Sequence, residues 1–195
     1  MDALGYYYKN ALLADLCGEY KGRWQSASHD KESLLRLAVS QQSFPHMATF
    51  AYEGNGLTEE YITEEFKDFI NGRYTAVDAD GVDGGYKTQL FVGHDKYISD
   101  NVDVLCMMWC DVPTLEVGKT KATKIYAACC SKVNIVCDGY NHVIVMLFDE
   151  SSVMLEDVDE DSSVTIYKYS DKAKVEIGKY CLSKKVKVFN KELKL

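Results

Sequence analysis

A chain of 195 residues with 47% apolar content is long enough for one sizeable core or two small ones, and it should fold without metal or disulfide staples. Its formal charge of −8 and pI near 5.0 argue against a general nucleic-acid binder, which needs an excess of Lys and Arg on some face. The opening MDALGYYYKNALLADLCGEY has no basic flank followed by an apolar run, so it reads as neither signal peptide nor membrane span, and the expected location is inside a cell.

The first 72 residues read as helical. Leu12, Leu13, Leu16, Cys17, Tyr20 and Trp24 recur at three-to-four spacing and make one apolar stripe, weakened by Gly18 and Gly22. A second helix starts at Ser28 or Asp30, turns Leu34, Leu37 and Ala38 inward, and is expected to stop at Pro45. A third is capped by Thr58, carries acids in its first turns, buries Ile62, Phe66, Phe69 and Ile70, and ends at Gly72. From residue 73 the period becomes two: RYTAV and YKTQLFV read as strands joined by the turn-rich DADGVDGG, VDVLCMMW as a fully buried strand, and TKIYAACC as another.

A repeat then runs nearly to the C-terminus. Its pairs are Val133/Ile135, Val143/Val145, Val153/Leu155, Val164/Ile166, Val175/Ile177 and Val186/Val188, at intervals of 10, 10, 11, 11 and 11 residues. Each pair flanks one outward position, so both side chains leave a short strand on the same face. A third anchor follows at Phe148, Val158, Tyr169 and Tyr180, and turn formers such as FDESS and DEDSS separate the units. One unit cannot bury its own face, whereas stacked copies share a continuous core. The expected class is therefore α+β, with residues 1–120 a helical then mixed α/β anchoring region and 121–195 a short β-solenoid of about three coils, two units per coil. The alternative is an antiparallel β meander. Against it, the later turns lack Asn-Gly and Asp-Gly, and the anchors repeat in one order rather than mirrored.

Charge along the repeat is uneven. Asp149, Glu150, Glu156, Asp157, Asp159, Glu160 and Asp161 form an acidic waist, whereas Lys168, Lys172, Lys174, Lys179, Lys184, Lys185 and Lys187 crowd the following coils. Such runs serve as solvated faces or as docking surfaces for an oppositely charged partner. The candidate interaction residues are Lys184, Lys185, Lys187, Lys191 and Lys194 at the basic tip, with Asp157, Asp159, Glu160 and Asp161 at the waist.

Motifs for chemistry are sparse. Asp78, Asp80 and Asp83 share a glycine-rich turn but lack the ligand ladder of an EF-hand. The seven cysteines are odd in number, show no C-x-x-C doublet, and read as reduced, buried thiols. In a strand, Cys106 and Cys110 would lie roughly 13 Å apart on one face, too far for one ion. His29, His46, His94 and His142 show no pairing with a cysteine that would mark a nucleophile. Neither a catalytic residue, a metal nor a cofactor is assigned.

Taken together, LCGEYKGRW, HDKESLLRLAVSQQSFPHMATF, GLTEEYITEEFKDFING, MMWC and VTIYKYSDKAKVEIGKYCLSKKVKVFNKEL resemble an uncharacterised protein set of gut Bacteroidales and their phages and mobile elements. The resemblance spans nearly the whole chain and carries no catalytic motif. It implies a phage or mobile-element origin, where valine-pair solenoids are similar to fibre, spike and other virion parts. The resulting expectation is a non-enzymatic virion component that docks to other protein subunits, its own or the virion's, in the virion or the host cytoplasm. No membrane or nucleic-acid partner is expected. The alternative is an intracellular protein that captures a host factor; an enzyme would need a pocket gathering Asp78, Asp80, Asp83, His94 or the cysteines.

Overall fold

The computed structural model describes residues 5, 9, 18–27, 30–38, 40–41, 43–54, 58–65, 75–78, 88–93, 103–117, 123–139 and 141–193. Among the described residues four short helices come first: α1 (Gly18–Ser26), α2 (Lys31–Ala38), α3 (Phe44–Tyr52) and α4 (Glu59–Glu65). Eleven strands follow among the described residues: β1 (Thr75–Asp78), β2 (Thr88–Val92), β3 (Val104–Met108), β4 (Asp111–Val117), β5 (Thr123–Ala128), β6 (Lys132–Cys137), β7 (His142–Leu147), β8 (Ser152–Val158), β9 (Ser163–Lys168), β10 (Lys174–Ile177) and β11 (Val186–Asn190). A 3₁₀ turn, Ser183–Lys185, leads into the last strand.

From β3 onward the strands sort by parity into two sheets. One has the order β1-β2-β3-β5-β7-β9-β11, and the other β10-β8-β6-β4. Among the described strands all pairings are parallel except that of β1 with β2. Chain that alternates between two parallel sheets and advances one strand each time is a β-solenoid, here of about four coils, and the parallel register excludes the meander for the repeat. The stacking also begins before residue 121. Leu105 and Met107 of β3 pair with Ile125 and Ala127 of β5, so the expected three coils become about four. Mixed residue types and a register shift between Val112 and Leu115 in β4 conceal those earlier rungs from a search for valine pairs.

The interior is filled by the pattern the repeat implies. Val133, Ile135, Val143, Val145, Val153, Leu155, Val164 and Ile166 are all buried in one apolar cluster. The third anchors split in two. Val158 joins that interior, whereas Phe148 lies in a second cluster on the outer face of the larger sheet, with Tyr169 packed against it. There Tyr126 stacks on Phe148 at 6.3 Å and Phe148 on Tyr169 at 5.1 Å.

The helices cover that outer face. Trp24, Leu34, Leu37, Phe44, Met47 and Ile62 join Leu90, Val92, Val104, Cys106 and Met108 in one cluster, which is why every residue of β3 is buried. Asp30 caps α2, accepting from the Ser33 amide at 3.0 Å, and Thr58 caps α4, accepting from the Tyr61 amide at 3.2 Å. Pro45 does not end α2, which already stops at Ala38. It occupies the first turn of α3, where its missing N–H has no helical partner to lose. Phe44 of that helix meets the rings of Tyr126 and Phe148 edge-on, at 5.7 and 6.5 Å. The expected positions Leu12, Leu13, Leu16, Cys17, Ser28, Phe66, Phe69, Ile70 and Gly72 lie outside the described residues.

The corners between sheets need compact, polar chain. The first corner of successive coils places Trp109, Cys129, Cys130 and Asp149 at positive φ of 53°, 53°, 61° and 44°. Inside it, register aligns Cys110, Ser131, Ser151 and Ala173, all small and all buried. Cys110 is therefore at a corner inside the solenoid, whereas Cys106 is in the helix-facing cluster; the two do not share the strand face expected for them.

Candidate functional site

Inner rungs of a solenoid are covered on both sides, whereas a terminal rung is covered on one side only. Register sets Val186 and Val188 of β11 on Val164 and Ile166, and Val175 and Ile177 of β10 on Val153 and Leu155. All four continue the inward columns. Yet Ile177 is 49% exposed and Val188 43%, against 1% or less for the residues they cover. The connecting loop adds Tyr180 at 67% and Leu182 at 41%. Among the described residues six large apolar side chains are exposed, and all but Tyr52 lie between Ile177 and Phe189. Among the described residues, exposure above 40% of large apolar side chains is confined to this end.

The same end carries the basic tip. Lys174, Lys179, Lys184, Lys185, Lys187 and Lys191 stand against Glu176 and Glu192 over residues 174–193, in a protein of net charge −8. Lys184, Lys187 and Lys191 are exposed and Lys185 is half-buried; Lys194 lies outside the described residues. The Lys191 ammonium sits 5.4 Å from the ring centre of Tyr167, which stacks on Phe189 at 5.6 Å. A cation over a stacked aromatic pair gives the outer edge of the end a mixed apolar and basic character.

The acidic waist is not one surface. Asp159 is occupied by two stacked corners: its carboxylate accepts from the amides of Gly139 in the preceding coil at 2.6 Å and of Ser162 at 2.8 Å and Asp161 at 3.0 Å in its own. The Gly139 bond is the chief reason its pKa lies below the ordinary carboxylate range. Asp149 plays the equivalent part at the other corner, accepting from Cys129 at 2.6 Å and Cys130 at 2.9 Å. Glu150 is shared between Lys172, at 2.9 Å, and the Tyr52 hydroxyl, at 3.1 Å. Asp157, Glu160 and Asp161 are exposed. The waist thus divides into acids that build the fold and acids that face solvent, a division that composition does not reveal.

Other candidates hold less. A groove of about 740 Å³ between α3 and the C-terminal coils is lined by Tyr52, Asp149, Lys168, Tyr169, Asp171 and Lys191 among others, but Asp149 is already engaged with backbone amides. Burial holds the Cys129 thiol far above its ordinary pKa and pushes that of Cys137 up to about 12, so neither is an activated nucleophile. The six described cysteines are free thiols. Among the described residues no three His, Cys, Asp or Glu side chains cluster as metal ligands, and no helix is long and apolar enough to cross a membrane. His142 contacts the Ser163 hydroxyl at 2.7 Å. His29, Asp80, Asp83 and His94, and the side chain of Asp78, lie outside the described residues. Compared with family models, with curated proteins and with solved structures, the chain matches none.

Proposed function

We propose that this protein is a non-enzymatic structural or interaction component, a phage virion part of the fibre, spike or adaptor type, which docks to partner subunits through the open end of its solenoid. One observation carries the docking half of this reading: the core columns end in exposed Ile177 and Val188 inside a rim of lysines. The resemblance to proteins of gut Bacteroidales phages and mobile elements supports the virion half. On this reading the helices brace one face of the larger sheet, the solenoid supplies a rigid stalk, and the final rung is the contact. The protein then works in the virion or in the host cytoplasm where virions assemble.

The test is incorporation. Wild type and the Lys184→Glu, Lys185→Glu, Lys187→Glu triple variant are expressed during particle assembly, and purified particles are analysed by mass spectrometry. The wild type should be present and the folded triple variant depleted by about 10-fold or more, since three reversed charges oppose an electrostatically matched contact. Absence of the wild type from particles would overturn the virion assignment in favour of capture of a host factor. Equal incorporation of both proteins would remove the lysines from the contact.

A further inference from the structure

Resting on the docking reading above, we propose the chemistry of the occupant: an acidic, extended segment of a different protein that adds as a parallel strand beside β11 and forms the next rung. The amide of Lys191 donates to the carbonyl of Lys168 at 2.8 Å. In a parallel ladder the bonding direction alternates along the strand, so the amides of Val188 and Asn190 face away from β9. β11 is the edge of its sheet and pairs with β9 in unbroken register over all five of its residues. It contains no proline or bulge of the kind that blunts edges.

A second copy is disfavoured at this position. Two such ends face to face would oppose two sets of six lysines, each offset by only two glutamates. Head-to-tail stacking meets β4, the edge strand of the other sheet, where Pro113 lacks an N–H and the register shifts between Val112 and Leu115. The first sheet begins with β1 running antiparallel to β2. One end is therefore guarded by irregular backbone and the other by charge alone, which an oppositely charged strand neutralises.

The columns specify the occupant's sequence. Inward, Val143, Val164 and Val186 form one column and Val145, Ile166 and Val188 the next, so the added strand should offer β-branched residues at both places. Outward, it needs an acid beside Lys187, an aromatic ring to extend the stack of Tyr167 and Phe189, and a second acid beside Lys191. Read parallel to β11, that is Val-Glu-Ile-Tyr-Ser-Glu. Backbone bonds would supply affinity, and the alternating side chains and charges the selectivity.

The experiment titrates the full chain, isotope-labelled, with that end-blocked peptide and with a control carrying Lys in place of both Glu. Saturable shifts should centre on the amides of Val188 and Asn190, weaken by ~10-fold between low and high salt, and be at least ~10-fold weaker for the control. Lys187→Glu, an exposed change that spares the interior, should shift the preference toward the control. Equal binding of both peptides, shifts elsewhere, or no saturation with the acidic peptide would overturn the proposal. Sedimentation separates this failure from that of docking itself. A dimer broken by Val188→Glu would show that the end docks a second copy, so that only the partner chemistry is wrong.

Discussion

Asp149 and Asp159 occupy opposite corners of the solenoid and do the same work, each binding backbone amides of the coil before it. Their surroundings shift them in opposite directions. Burial raises the Asp149 pKa despite the amides that lower it, while the Gly139 amide leads several bonds that lower that of Asp159. A carboxyl depressed in the folded state stabilises above its unfolded pKa, and that stability is lost as pH falls through the folded value. A carboxyl raised in the folded state holds its proton more tightly there than in the unfolded chain, so acidification through that window favours folding. Thermal melts at about pH 7 and about pH 3, bracketing the ordinary carboxylate range, should show Asp159→Asn losing less melting temperature on acidification than wild type. Asp149→Asn should lose more. The same direction for both variants would refute this account.

At the level of elements, a strand's two faces carry very different energies. Val164 and Ile166 of β9 are 1% and 0% exposed, whereas Thr165 between them is only partly covered. Ile166→Ala should therefore cost about 2 to 4 kcal/mol, from lost burial and the cavity left behind. Thr165→Ala should cost well under about 1 kcal/mol. Denaturant titration reads both, and equal costs would mean a different register in solution. Helix α3 shows the opposite case, an element hidden by a misleading signal. The proline expected to stop α2, which ends earlier at Ala38, sits instead in the first turn of α3, whose Phe44 packs against Tyr126 and Phe148.

Across the whole molecule, contacts run mainly between successive rungs, so stability is close to one-dimensional and the end rung is held from one side only. Gly178 tests this. A Cβ there would meet the carbonyl oxygens of Leu155 and Glu156 at 2.7 Å, both fixed backbone atoms of β8. Gly178→Ala should force the final corner away from β8 and accelerate hydrogen exchange in β10 and β11. The main thermal transition of the earlier coils should change little. Uniform destabilisation of every coil would show that the last rung is coupled to the whole core.

The valine pairs, their near-constant spacing and the order of their anchors were sufficient to predict the inward faces of β6 to β9 and the solenoid itself, because period two and stacking are local consequences of strand geometry. The charge runs were equally plain as runs. Their division was not, since Asp159 differs from Asp157 through amides of a preceding coil and of its own corner. Nor could spacing distinguish buried Phe148 from exposed Tyr180, or interior Ile166 from Ile177 and Val188 at the open end. These side chains occupy equivalent steps of the repeat. What separates them is whether a helix or a further rung lies over them, and that is decided by long-range packing, which no local pattern records.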